Sequence, residues 1–109
     1  MNDEVTHPPV EDLSLPKVLA ALADPARLAL VRTLARVGES ACGQIQHEAG
    51  LEMSKSTMSH HSRILRGAGI TYARVQGARR LMDLRRDDLN ARFPGLLDAI
   101  LQEELAPTR

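Results

Sequence analysis

SACGQIQHEAGLEMSKSTMSHHSRILRGAG, residues 40–69, decides the fold. Ser40 is a candidate N-cap for a short helix from Ala41 to about Ala49, which turns Ile45 and Ala49 inward and stops at Gly50. Leu51-Glu52-Met53 is a tight connector. Ser54 or Ser56 then opens a second helix that runs to about Arg66 and ends at Gly67-Ala68-Gly69. Two short helices joined by a tight turn predict a helix-turn-helix.

Wound at about 3.6 residues per turn, the second of these helices has two faces. Met58, His61, Ile64 and Leu65 fall on one and can pack inward. Ser56, Ser59, His60 and Arg63 fall on the other, at spacings of i, i+3, i+4 and i+7. Short hydroxyls allow close approach to a partner, and an arginine can pair bidentately with guanine in the DNA major groove. Lys55 near the start of the helix and Arg66 near its end are placed for flanking phosphates. Any surface helix has a polar face, but Glu and Asp are absent from all thirty positions between 53 and 82 in a chain with fourteen acids. A solvated face usually mixes both signs.

Working outward, Ile70 to Val75 reads as a strand, Gln76-Gly77-Ala78 as a turn and Arg79 to Leu84 as a returning strand. On the N-terminal side, Ser14 caps a helix from Leu15 to about Leu22, and Asp24 caps another that carries Leu28, Val31, Leu34 and Ala35 and ends at Gly38. Asp87 or Asp88 starts a last helix bearing Phe93, Leu96, Leu97, Ile100 and Leu101, with Pro94 placed to kink or split it. The expected fold is mainly α with a small β-hairpin: a dimeric winged helix-turn-helix of order α-α-α-α-β-β-α over residues 14–105, preceded by a flexible arm over 1–13. The apolar stripes of the first helix (Leu15, Val18, Leu19, Leu22) and of the last are expected to meet a symmetry mate.

Composition agrees. At 109 residues the chain is one domain. With no Trp, one Tyr and one Phe, its core must be aliphatic, which favours packed helices. Net charge is zero, yet residues 55–92 hold nine basic side chains against three acids, so a basic segment sits inside a neutral chain. No apolar run approaches the roughly 18 residues that span a bilayer, and the acidic N-terminus has no signal-peptide core. A single cysteine, Cys42, forms no internal disulfide. The expected compartment is the cytoplasm. No nucleophile–base–acid set, phosphate loop or carboxylate dyad points to an enzyme.

Two stretches together, LADPARLAL (22–30) and STMSHH (56–61) followed by LRGAGI (65–70), resemble the ArsR/SmtB family of bacterial repressors, across roughly residues 15–101. The resemblance implies a homodimeric repressor whose fourth helix reads the major groove of an imperfect palindrome in double-stranded DNA, with the hairpin as wing. It implies dimerisation through the first and last helices, and release by a ligand or redox signal, the inducer being unknown. Carried over by position, Ser56, Thr57, Ser59, His60 and Arg63 contact DNA, and Arg79 and Arg80 follow the wing's Gly77 turn. Two departures are visible: Glu52-Met53 lengthens the connector, and Ser62 stands where a larger apolar residue is common. The rival is a winged-helix protein-interaction module without DNA binding; its mark would be an acidic recognition helix.

Family members often sense metals. Here the cysteine-pair segment holds one thiol, Cys42, and the last helix has no His, so no metal and no cofactor are assigned. Cys42 is a candidate redox residue, since a helix N-terminus can lower a thiol pKa, but also a candidate core residue. His60 and His61 point about 100° apart on a helix and are not a catalytic pair.

Overall fold

Three side chains start three helices. Ser14 Oγ accepts a hydrogen bond from Lys17 N (3.4 Å), opening α1 (Leu15–Leu22). Asp24 Oδ1 accepts from Ala26 N and Arg27 N (2.8 and 3.1 Å), opening α2 (Pro25–Val37). Ser54, rather than Ser56, caps α4 (Lys55–Gly67), its Oγ accepting from Thr57 N at 3.1 Å. Each such cap is worth about 0.5–2 kcal/mol. The computed structural model describes residues 6–105, with side-chain surroundings through residue 101.

Ser40 is not a cap. Ser40–Ala41 form a short strand β1, and α3 (Cys42–Glu48) has Ala41 at its N-cap position, with no side-chain cap. Ladder pairing is the reason: Ser40 and Ala41 sit opposite Met82 and Leu81 of β3 (Arg79–Leu84). That strand also pairs with β2 (Thr71–Gln76) in an antiparallel hairpin, giving the sheet order β1-β3-β2. Gly77, at φ +62°, takes the first central position of the two-residue turn, where a type II′ hairpin requires glycine.

The expected last helix is two: α5 (Arg86–Arg92) and α6 (Leu96–Leu105). Pro94 cannot continue the hydrogen-bond ladder and Gly95 adopts φ +87°, so the chain turns between them. Asp87 and Asp88 lie in the first turn of α5, near the positive end of its dipole, and not at the cap, which is Arg85.

The core is aliphatic. Leu30, Leu34, Ile45, Leu65, Ile70, Met82, Val18 and Val31 are its fully buried members. One expectation about it needs correction: the apolar stripes of α1 and α6 are only partly spare. Val18, Leu22 and Leu97 are buried within the protomer, whereas Leu15 and Leu19 are 41% and 46% exposed. Period alone locates an apolar face; it does not say which neighbour covers it.

The N-terminal segment, expected as a flexible arm over 1–13, is docked from His7 onward. A 3-10 turn (Val10–Asp12) leads into Leu13, which is buried against Gly69. Gly69 has φ +85°, and a β-carbon there would collide with the Leu13 side chain, so both backbone and space demand glycine. Arg92 Nη2 donates to Leu13 O (2.6 Å), and Arg85 Nη1 donates to Pro8 O (2.9 Å). Ala73 N, on the outer strand of the sheet, donates to His7 Nε2 at 2.9 Å. Residues 1–5 of the expected arm lie outside the described residues.

His7 must be neutral to accept that bond. Burial, then the nearby charges of Arg85 and Arg66, hold its pKa below the ordinary 6.5. A group with a depressed basic pKa binds fewer protons folded than unfolded, so its stabilising contribution is complete above about pH 6.5 and is lost as pH falls through the window below it. Wild type should therefore melt above His7→Ala at pH 8, and the gap should narrow as pH falls below about 6.5. A gap of constant size across that range would show that His7 is held by packing alone.

Candidate nucleic-acid interface

α3 and α4 form the helix-turn-helix. Its turn is set by Gly50 at φ +70° and by Gln46, whose Nε2 donates to Leu51 O (3.2 Å) and Met53 O (3.0 Å). One side-chain amide thus clamps the whole connector, including its added residues. The sequence reading missed Gln46, because nothing in a lone glutamine on a short helix signals it.

α4 divides as its periodicity predicts. Met58 and Leu65 are buried, His61 and Ile64 half-buried, and Lys55, Ser56, Thr57, Ser59, His60 and Arg63 exposed. Arg66 is half-buried. Ser62 is buried too, in the wall of a cleft that Cys42 of α3 also lines, where a small residue fits. His61 Nδ1 lies 3.2 Å from Arg27 Nη1, which can only donate, so His61 accepts. Arg27 Nε also donates to Ala21 O at 2.7 Å. This arginine therefore joins α1, α2 and α4 and fixes the pose of the exposed stripe.

The nine basic residues of 55–92 fall into two groups. Arg74 forms a two-pronged ion pair with Glu39 (2.8 and 2.9 Å), which holds the Glu39 carboxyl below the usual carboxylate range. Arg85 is buried and pairs with Asp88 at 2.8 Å, while Tyr72 Oη donates to the same carboxylate (2.7 Å). The Tyr72 hydroxyl and then Arg85 push the Asp88 pKa down. Arg92 bonds Leu13 O, and Arg86 reaches Ala35 O (3.5 Å). Lys55, Arg63, Arg66, Arg79 and Arg80 have no ion-pair partner among the described residues. All five lie on α4 or at the start of β3, whereas Arg86 and Arg92 of α5, also without an acidic partner among the described residues, are tied to backbone carbonyls.

Cys42 does not have the lowered pKa expected of a helix N-terminus. Burial pushes its thiol up, against the smaller opposing effects of a Ser62 hydrogen bond and the charges of Arg80 and Arg66. A thiol held protonated is a poor nucleophile. Among the described residues no group of three or more His, Cys, Asp or Glu side chains could hold a metal ion, and no helix is long and apolar enough to cross a membrane.

A helix-turn-helix that presents an acid-free polar helix beside a basic wing defines a winged helix-turn-helix DNA-binding protein. Comparison with known proteins agrees. Residues 24–72 match the bacterial regulatory protein, arsR family. An HTH-type transcriptional regulator of Bacillus subtilis (strain 168), YceK, is 34% identical over 85 residues, covering 77% of this chain and 83% of that protein. The crystal structure of the transcriptional repressor BigR from Xylella fastidiosa superposes with a TM-score of 0.66 at 26% identity, over 86% of this chain and 88% of that one. The homodimeric winged helix-turn-helix DNA-binding domain (fragment 1-100) of Mb0332 from Mycobacterium bovis gives 0.64 at 30% identity, over 84% and 81%. The chain belongs to the ArsR family and is a DNA-binding transcriptional regulator.

Proposed function

We propose that this regulator is a homodimeric, cytoplasmic repressor. α4 of each protomer enters the major groove of one half of an imperfect palindrome, and the wing lies along the flanking backbone. A ligand or other signal releases it. The carrying observation is the placing of charge: Lys55, Arg63, Arg66, Arg79 and Arg80, with no ion-pair partner among the described residues, share α4 and the wing with the exposed Ser56, Thr57, Ser59 and His60. Ser56, Thr57, Ser59, His60 and Arg63 face the bases, with Lys55, Arg66, Arg79 and Arg80 at phosphates. The homodimeric Mb0332 domain and the repressor BigR support the assembly and the mode of control.

Footprinting on the DNA flanking the protein's own gene tests this directly. Protection of two half-sites about one helical turn apart is expected; a single protected site would remove the palindrome. Binding should also fall steeply with salt. Two protomers with about three phosphate contacts each give a log–log slope of roughly −5. Arg79→Ala/Arg80→Ala should flatten that slope and weaken all sequences alike. A wild-type slope near zero would exclude this face as the binding surface.

A further inference from the structure

Arg63, Arg66 and Arg80 do not act as three separate surface charges. They line one cleft of about 340 Å³ between α4 and the wing, together with Ser59, and with Ser62 and Cys42 in its wall. Ser62 is 5% exposed and Arg66 half-buried, so the cleft is set into the fold. None of its lining side chains is acidic. The cations therefore face each other across it without a counter-charge: burial, then Arg80 and Arg63, depress the Arg66 pKa. Cys42 is kept as a neutral thiol by its own burial and offers no compensating charge. Like charges held together in one cleft repel each other, and an anion bound among them would relieve that repulsion.

We propose that this cleft is a phosphate-binding pocket, with Arg66 and Arg80 as the ligating guanidiniums and Ser59 and Arg63 at the rim, where they stay free to face the bases. Guanidinium forks match phosphate oxygens two at a time, which ammonium groups cannot do. Because Arg66 belongs to the recognition helix and Arg80 to the wing, one bound phosphate ties the two DNA-facing elements together. The phosphate comes either from the DNA backbone, a source that rests on the DNA-binding function above, or from a free phosphate-bearing molecule. The chemistry is the same, and two measurements separate the sources.

The first uses the full chain without DNA. Inorganic phosphate is titrated at constant ionic strength, balanced with chloride, while the arginine Nε–Hε resonances are followed. Saturable shifts at Arg63, Arg66 and Arg80 are expected in wild type, lost in Arg66→Ala and weakened in Arg66→Lys, which keeps the charge. The second measures the salt slope on a short random-sequence duplex for Arg66→Ala, Arg80→Ala and the double variant, with circular dichroism confirming that each folds. If both arginines hold one backbone phosphate, the double variant loses about one unit of slope per bound protomer, no more than either single variant. Saturable phosphate binding with unchanged slopes supports the pocket and assigns it to a free ligand. Shared slope loss without phosphate saturation supports it and assigns it to DNA. No saturation together with additive or absent slope changes overturns the pocket. A chain that binds no duplex at all overturns the DNA-binding function instead, and the phosphate titration still decides the pocket.

Discussion

Arg63→Ala should cost the operator complex about 1–3 kcal/mol per half-site, so roughly twice that for the dimer. Arg63 is exposed on α4, one turn beyond Ser59 and His60, and has no ion-pair partner among the described residues. Removing it leaves the core intact, so circular dichroism and melting temperature should not change. What is lost depends on where the guanidinium points in the complex. A base contact gives up discrimination: operator affinity falls, while affinity for a random duplex barely moves. A phosphate contact weakens both alike and flattens the salt slope. Equal losses on the two duplexes would move Arg63 out of the base-reading set and into the arginine cleft. Wild-type affinity on the operator would mean that α4 is not the recognition helix.

That stripe was legible because an amphipathic helix writes its two faces into a local period, and Met58, Leu65 and Arg63 fall where the period puts them. Contacts made across long sequence separations left no such trace. His7 and Ala73 are 66 residues apart, and Arg92 and Leu13 are 79 apart. Nothing near His7-Pro8-Pro9 announces a strand edge waiting for an acceptor, so a polar, proline-containing segment reads as a loose arm. β1 is two residues long, too short for alternation to show, and the serine that would cap a helix is drawn into pairing with Met82. Ser62 illustrates a third limit. Its size departs from the family pattern, and only the fold shows the setting: a buried hydroxyl in the wall of one cleft with Cys42, beside the arginines. Charge behaved likewise. Nine basic residues in one segment are visible in the sequence, but Arg74 and Arg85 look the same as Arg66 and Arg80 until Glu39 and Asp88 are found beside them.

The largest effect on assembly should come from Leu15→Glu/Leu19→Glu. These leucines lie one turn apart on α1, at the exposed edge of the stripe whose other members, Val18 and Leu22, are buried, and both stand well out of the protomer's core. Leu96, Ile100 and Leu101 of α6 are half-buried, so the same protomer carries a second stretch of incompletely covered apolar surface. In a two-fold dimer one patch serves both partners, and two exposed leucines per chain become four buried ones, each worth about 1.5–3 kcal/mol when fully covered. Glutamates there would be desolvated without partners, so the dimer should dissociate while the monomer stays folded. Sedimentation should show a monomer with native circular dichroism. Operator affinity should drop by about 10²–10⁴-fold, because the second half-site contact is no longer intramolecular. Leu97→Glu is the instructive contrast. Leu97 is 2% exposed within the protomer, and a carboxylate there should unfold the chain before it reports on assembly. If the Leu15/Leu19 variant sediments as a dimer and still binds the palindrome tightly, α1 is not the interface; if wild type is a monomer at micromolar concentration and binds it tightly, the dimeric repressor itself is refuted.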